Sequence, residues 1–463
     1  MAEHETPTGC PACKRLKARI AELETQLAAA KKHSGNSSKP PSSDIVKPPK
    51  TGPKGKDGKR RRGGQQGHPR HQRPAFSPEE VDNTTDYILD CCPDCGGTLE
   101  EADAAPRIIQ QIEIIEKPLR IEEHRGLAYW CSKCQRLHYG ALPQEVDKAG
   151  LAGPQLTALV AFLKGACHAS FSTIRKYLRD VVGVQICRGQ LAKLVQKVSA
   201  SLAPIYEELL AALPEEARLN VDETGHPEQK RRLWTWCFRA PLYTLYHIDP
   251  SRGSEVLIKV LGEEFDGILG CDYFSAYRKY MKTFGIRLQF CLAHLIRDVK
   301  FLAEHPKAAN RRYGELLLSQ LRKLFGIIHD RDRYASAMSF RRALATARND
   351  LVVTAMVELA DTKEAKNLAA RFENHLDSYF RFITEPDVEP TNNLAEQAIR
   401  FVAIHRRITQ GTRGPAGQRW CERIWTVVTT CAQQGRSVFD FLVEAVTTHF
   451  QGSPAPSLMP DTT

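Results

Sequence analysis

Apolar residues recur at helical spacing through residues 14–30, where Leu16, Ile20, Leu23 and Leu27 stand 4-3-4 apart. That spacing predicts an amphipathic helix with a short heptad seam, open to either a dimer contact or a solvated face. From Ser34 to about Pro74 the apolar positions almost vanish and Ser, Pro, Gly and Lys take over. A segment with so little to bury cannot offset its ordering entropy, so it is expected to be disordered. Alternating or apolar β-type stretches return at Ile108–Glu116 and Leu119–Trp130. Residues 150–213 read as helical throughout. In Phe171–Val182 one face carries Phe171, Ile174, Tyr177, Leu178 and Val181; Gly183 breaks the pattern, and Cys187–Ser201 resumes it with Leu191, Leu194, Val195 and Val198. Helix, glycine turn, helix predicts either a helix-turn-helix unit or a plain helical hairpin.

The pattern then turns to strands at Ala217–Asp222, Leu233–Arg239, Leu242–Ile248, Ile268–Tyr273 and Ile286–Ala293, with a helix at Ser254–Leu261. Three strands, a helix and further strands predict a ribonuclease-H-like α/β domain. Long charged amphipathic helices interrupt it over about 300–380, and helices follow from Asn393 to Phe450.

Charge sharpens this picture. The chain has 65 Lys+Arg and 54 Asp+Glu, a formal net charge of +11. Between Lys31 and Arg73 stand thirteen basic residues and two acids, so this window alone holds the whole excess and the remainder balances at 52 against 52. A neutral body with one cationic strap suits a polyanion such as DNA better than a small acidic substrate. Lys54, Lys56, Lys59, Arg60, Arg61 and Arg62 are its densest run and the candidate phosphate contacts; the alternative is a solvated linker. In the helical region Arg188 and Lys193, at the start of the second helix, are placed to reach a groove.

No apolar run approaches ~18 residues, so no transmembrane helix is expected. The N-terminus lacks the apolar core of a secretory signal, which points to the cytoplasm. In a reducing compartment the pairs Cys92-Pro-Asp-Cys95 and Cys131-Ser-Lys-Cys134 read as metal ligands rather than disulfides. Joined by strands, they predict a zinc ribbon with four thiolates on one structural Zn²⁺ at about 2.3 Å. Cys92, rather than Cys91, gives the knuckle spacing, and Cys10/Cys13 has no second pair nearby.

The expected architecture is therefore multidomain and mixed. It comprises an N-terminal helix and possible coiled coil (1–33), a basic disordered linker (34–78) and a zinc ribbon (79–148). A helical, helix-turn-helix-like domain (149–213), a ribonuclease-H-like catalytic domain (214–450) and a tail (451–463) follow.

Three acids stand where such a sheet gathers a metal site. Asp222 ends the first strand of the domain, Asp272 ends a later one, and Glu396 sits in the first turn of a helix opened by Pro390 and Thr391 or Asn392. Two or three convergent carboxylates suffice to hold Mg²⁺, and two ions can clamp the attacking and leaving oxygens of a phosphoryl displacement. Each acid also has a dull role open to it: a turn or cap for the aspartates, an i,i+4 pair with Arg400 for Glu396. Glu223 competes with Asp222, but strand neighbours point to opposite faces.

The chain resembles transposases of the insertion sequence 66 family. The motifs that carry the likeness run nearly end to end. They include Asn36-Ser-Ser-Lys-Pro-Pro-Ser-Ser-Asp44, Gly63-Gly-Gln-Gln-Gly-His68, the four-cysteine region and Val221-Asp-Glu-Thr. Cys271-Asp-Tyr-Phe-Ser-Ala-Tyr277, Cys291-Leu-Ala-His294 and Thr391-Asn-Asn-Leu-Ala-Glu396 complete the set. The resemblance implies an Asp-Asp-Glu transposase with Asp222, Asp272 and Glu396 on Mg²⁺ or Mn²⁺ and a helical insertion before the Glu. Gln397 departs from the Arg usual after that Glu.

Cys291 and His294 have half the spacing of a zinc site. A packing role for the Cys, and support of the acids or approach to the scissile phosphate for the His, are the readings. Arg406, Arg407 and Arg413 follow the Glu helix as candidate phosphate contacts or an exposed basic loop.

The expected function is cleavage and strand transfer at the ends of the element itself. Expected partners are double-stranded DNA (terminal inverted repeats and target), a second copy of the chain and accessory proteins of the same element, with no membrane. The rivals are a non-catalytic zinc-containing DNA-binding protein on a degenerate nuclease scaffold, and a ribonuclease-H-like nuclease without strand transfer.

Overall fold

The computed structural model describes residues 11–33, 36, 77–81, 84, 119–131, 133, 135–229 and 231–459. Residues 49–121 form one compact unit and the rest of the chain another. In the first, the described residues include one 3₁₀ turn, Pro78–Glu80. The strap residues Lys54, Lys56, Lys59, Arg60, Arg61 and Arg62, the stretch Ile108–Glu116, and Cys92, Cys95 and Cys134 lie outside the described residues, as does the Cys131 side chain.

The larger unit opens with α1 (Pro11–Ala30). Its seam residues Leu16, Ile20, Leu23 and Leu27 are all exposed. The linker expected to be disordered from residue 34 is ordered at one described position. Asn36 is buried, its Oδ1 accepting from the His33 N–H at 2.8 Å and its Nδ2 donating to Glu304 Oε2 at 2.9 Å. An amide that satisfies both its ends overcomes the poor local composition at that point.

A two-stranded hairpin follows, β1 (Ala128–Cys131) antiparallel to β2 (Arg136–Tyr139). Then come α2 (Gln144–Ala149), α3 (Pro154–Gly165), α4 (Phe171–Tyr177), α5 (Arg188–Ser201) and α6 (Ala203–Ala212). Ser170 caps α4 by accepting from the Thr173 N–H. A π turn at Leu178–Val182 ends on Gly183, whose φ of 83° suits glycine. Helices α3 and α5 pack against the C-terminal helices of the chain, so the region 149–213 and the sheet domain share a core.

The sheet contains β3 (Arg218–Glu228), β4 (Arg231–Arg239), β5 (Thr244–Asp249), β6 (Ile268–Cys271) and β7 (Arg287–Phe290), in the order β5-β4-β3-β6-β7. The β3–β4–β5 meander is antiparallel, while β6 and β7 run parallel to β3. Between strands lie α7 (Ser254–Leu261) and α8 (Ser275–Phe284), and β7 leads into α9 (Leu292–Ala303). The insertion is three long helices, α10 (Ala308–His329), α11 (Ala337–Val357) and α12 (Lys363–Phe380). The chain returns through α13 (Asn393–Thr409), α14 (Pro415–Gln434) and α15 (Val438–Gln451). Buried Val221, Phe238, Leu245, Leu269 and Leu288 centre the core on this sheet.

Side chains engage both sheet edges. On α14, Glu422, Thr426 and Thr430 accept in turn from the backbone N–H groups of Ile248, Tyr246 and Thr244, at 2.7, 3.1 and 3.1 Å. Four residues of helix advance about 6 Å and two of strand about 6.6 Å, so one helix face keeps step with one edge. At the other edge, Gln289 of β7 donates to Tyr379 O at 3.0 Å and accepts from the Phe382 N–H at 2.9 Å. The β5 edge is thereby closed as a template for another chain.

Candidate active site

Asp222 does not end its strand, contrary to the sequence reading. Strand β3 pairs with β6 only from Arg218 to Asn220, whereas its pairing with β4 continues to Glu228. Asp222 therefore stands just past the point where β3 loses its parallel neighbour. Asp272 follows the last residue of β6. Because Asn220 is in register with Gly270, the two aspartates occupy equivalent positions on adjacent strands. Each carboxylate is fixed locally: Asp222 Oδ1 accepts from the Glu223 N–H at 2.9 Å, and Asp272 Oδ1 from the Phe274 N–H at 2.9 Å.

Glu396 comes from α13, and Asn392 brings it there. The buried Asn392 side chain does not cap its own helix. It donates to the Val221 carbonyl at 2.8 Å and accepts from Asn220 Nδ2 at 3.0 Å, while its backbone N–H donates to Cys291 Sγ at 3.1 Å. Gly270 makes room, since a Cβ there would meet the Asn220 amide. The start of α13 is thereby tied to the strand residue before Asp222.

The electrostatics report the convergence. Burial, then Glu223 and Asp272, with Glu396 contributing, push the Asp222 carboxyl well above the usual carboxylate range. Burial and Glu223 push Asp272 up to about 7. Glu223 is itself occupied: Arg252 pairs with its Oε1 at 2.7 Å and the Tyr277 hydroxyl donates to Oε2 at 2.5 Å. Arg252 in turn stacks on Trp234 and Phe274, 4.6 and 4.0 Å from the ring centres.

Glu396 is not paired with Arg400. Its Oε2 lies 3.3 Å from Arg297 Nη2 and its Oε1 3.5 Å from His294 Nδ1. Burial and Arg297 lower His294 to about 4, so the ring is neutral at pH 7. The ligand atoms of Cys291, His294 and Glu396 lie within 4.8 Å of one another, close enough to share a metal ion. Burial pushes the Cys291 thiol up to about 11.

The other candidates are spread out. Arg188 and Lys193 are exposed on α5, Arg188 donating to Ser172 Oγ at 2.7 Å. Arg407 and Arg413 are exposed, but Arg406 is half-buried and donates to Thr224 Oγ1 at 3.0 Å and to the Gly225 carbonyl. Arg406 is lowered by burial and by the nearby Arg407 and Arg232 guanidiniums. Just beyond it the loop to α14 passes close to β3 at Gly411 (φ 87°), where a Cβ would run into the Pro227 carbonyl.

Sequence reasoning missed Arg297, Asn220 and Arg252. Arg297 had a signal, three residues after His294 on one helix face. For Arg252 and Asn220 the partners are tertiary, and no local pattern marks them.

Fold and site together define a mixed α/β protein with carboxylates gathered where a sheet opens. The Transposase IS66 family model matches residues 149–419, and the chain belongs to that family. Residues 11–74 match a family of unknown function (DUF6444). Two similar proteins of Sinorhizobium fredii (strain NBRC 101917 / NGR234) are the uncharacterised y4qI and y4hP. The first is 24% identical over 399 residues, 79% of this chain and 72% of the relative. The second is 24% identical over 375 residues, 73% of this chain and 67% of the relative. Among the described residues no helix is long and apolar enough to cross a membrane.

Proposed function

We propose that the protein is an Asp-Asp-Glu transposase that cleaves and joins DNA at the ends of its own element, with Asp222, Asp272 and Glu396 as its metal-binding acids. The observation that carries this reading is the convergence of the three acids from β3, the end of β6 and α13, in which Asp222 feels both of the others. The sheet order, an antiparallel meander of three strands followed by two parallel ones, supports a ribonuclease-H-like domain.

The residues fit a divalent cation. Carboxylate oxygens are the hard donors Mg²⁺ and Mn²⁺ prefer. Burial, with the Glu223 carboxylate adding repulsion, raises both aspartates, and the buried Glu396 Oε1 has no hydrogen-bond partner among the described residues. Bound there, divalent ions supply charge stabilisation to the attacking and leaving oxygens of a phosphodiester. The chain's own residues hold the geometry. Asn392 sets Glu396 beside β3, the backbone N–H groups of Glu223 and Phe274 orient the aspartates, and Arg252 pairs with Glu223. Arg406, Arg407 and Arg232 offer guanidiniums beside β3 to the flanking phosphates; Arg188, Lys193 and the basic strap are further candidate phosphate contacts. A second copy seated on the exposed seam of α1 is the proposed oligomer contact.

The test is nicking of terminal-repeat DNA with Mg²⁺ or Mn²⁺ by Asp222→Asn, Asp272→Asn and Glu396→Gln, run beside a gel shift and a strand-transfer assay. Each variant should lose cleavage and keep binding. Normal nicking by all three would end the reading, and nicking without joining would make the protein a nuclease.

A further inference from the structure

Arg297 and His294 stand three residues apart on α9, and both face Glu396. Arg297 Nη1 is 3.1 Å from His294 Nε2, and Nη2 is 3.3 Å from Glu396 Oε2. His294 Nδ1 lies 3.5 Å from Glu396 Oε1. Neither Nδ1 nor Oε1 has a hydrogen-bond partner among the described residues, and both are buried.

A guanidinium can only donate. The nitrogen it faces on His294, Nε2, must therefore be the acceptor, so in the neutral ring the proton sits on Nδ1. Nδ1 is the ring nitrogen beside Glu396 Oε1, 3.5 Å away, within ion-pair reach. Each oxygen of Glu396 thus faces a nitrogen donor from α9, Oε1 the imidazole and Oε2 the guanidinium. One lone pair on each oxygen is left for a cation.

The same logic decides what the Cys291, His294 and Glu396 cluster does. Were His294 to ligate an ion through Nδ1, its proton would move to Nε2 and meet the guanidinium N–H groups head on. Cys291 Sγ already accepts from the Asn392 N–H. The cluster suits the orienting of a carboxylate better than the sharing of an ion.

We infer that Arg297 is a positioning residue: it locks His294 in the Nδ1–H tautomer and, with it, holds both oxygens of Glu396 in place for metal binding. This rests on the reading of Glu396 as a metal-binding acid. Partners of this kind typically change metal affinity or activity by about 10–100-fold when removed.

The test uses full-length protein labelled with ¹⁵N-histidine, with the His294 signals assigned by His294→Gln. The wild type should show a protonated Nδ1 and a bare Nε2. In Arg297→Met, which keeps most of the packed stem, the ring should lose that lock and show protonated Nε2. Mn²⁺ binding, followed by electron paramagnetic resonance, should weaken about tenfold or more in Arg297→Met. Unchanged circular dichroism and melting would show that the fold is intact. An Nε2–H tautomer in the wild type, or the same tautomer and the same Mn²⁺ affinity in Arg297→Met, would overturn the inference. Glu396→Gln separates the two readings. If it leaves Mn²⁺ binding untouched, the metal role of Glu396 fails, while the tautomer result still decides whether Arg297 locks the ring.

Discussion

The side-chain amide of Asn392 donates to the backbone carbonyl of Val221 at 2.8 Å, so the helix that carries Glu396 is fastened to the residue before Asp222. These positions are 171 residues apart, and the insertion lies between them. Asn392→Ala leaves a buried carbonyl and the Asn220 amide without partners, at a cost of about 1–3 kcal/mol. Stability in urea should fall by that amount. Nicking should fall much further, because Glu396 is no longer held to β3. Activity reduced only in proportion to folded protein would mean that the tether is not needed at the site.

The acid cluster should leave a signature in pH. Asp272 is raised to about 7, chiefly by burial and by Glu223. Below the unfolded value, roughly 3.9, the group is protonated in both states and contributes no difference. As pH rises from there to 7, the unfolded chain ionises first, and the native state loses stability relative to it. Asp222, shifted in the same direction, adds to the loss. In EDTA, Asp272→Asn should therefore melt near the wild type at pH 4 and above it at pH 8. Added Mg²⁺ should shrink the difference by stabilising the wild type. A difference that does not depend on pH would contradict the assignment.

Closure of the β5 edge makes a prediction that does not depend on function. Thr426→Val keeps the shape of the side chain but removes the acceptor for the Tyr246 N–H. The buried donor left behind costs about 1–3 kcal/mol. Chemical denaturation should show this loss, and amide exchange at Tyr246 should quicken. An unchanged midpoint would mean that the hydroxyl is not the partner that closes the edge.

Replacing Lys54, Lys56, Lys59, Arg60, Arg61 and Arg62 with Gln should weaken DNA binding at low salt. If all six meet phosphates, the log–log salt slope should drop by roughly 5. Titration of binding against salt measures it, and an unchanged slope would make the strap a linker.

The paired C-x-x-C knuckles predict one bound zinc per chain. Metal analysis of purified protein should find it, and Cys92→Ser with Cys131→Ser should remove it. Retention of zinc in the double variant would exclude these ligands.

Much of the organisation was legible in residue order. Alternating and short apolar runs placed all five strands of the main sheet, and the helix at Ser254–Leu261 was read at its observed bounds. The helical insertion also follows from spacing, because such patterns express one buried face of one element, whereas the α1 seam was legible as a helix but not in what its apolar side meets. The strap was legible as charge alone. What the sequence could not specify was anything made by two distant segments. Asp222 looked like a strand end, and only the pairing showed β3 running on past β6. Glu396 had an adequate local partner in Arg400, yet the fold gave it Arg297 and His294. Asn392 looked like a helix opener and became a tether. A local pattern records which face an element buries, whereas hydrogen bonds of buried polar groups depend on what the other face of the chain brings within about 3 Å.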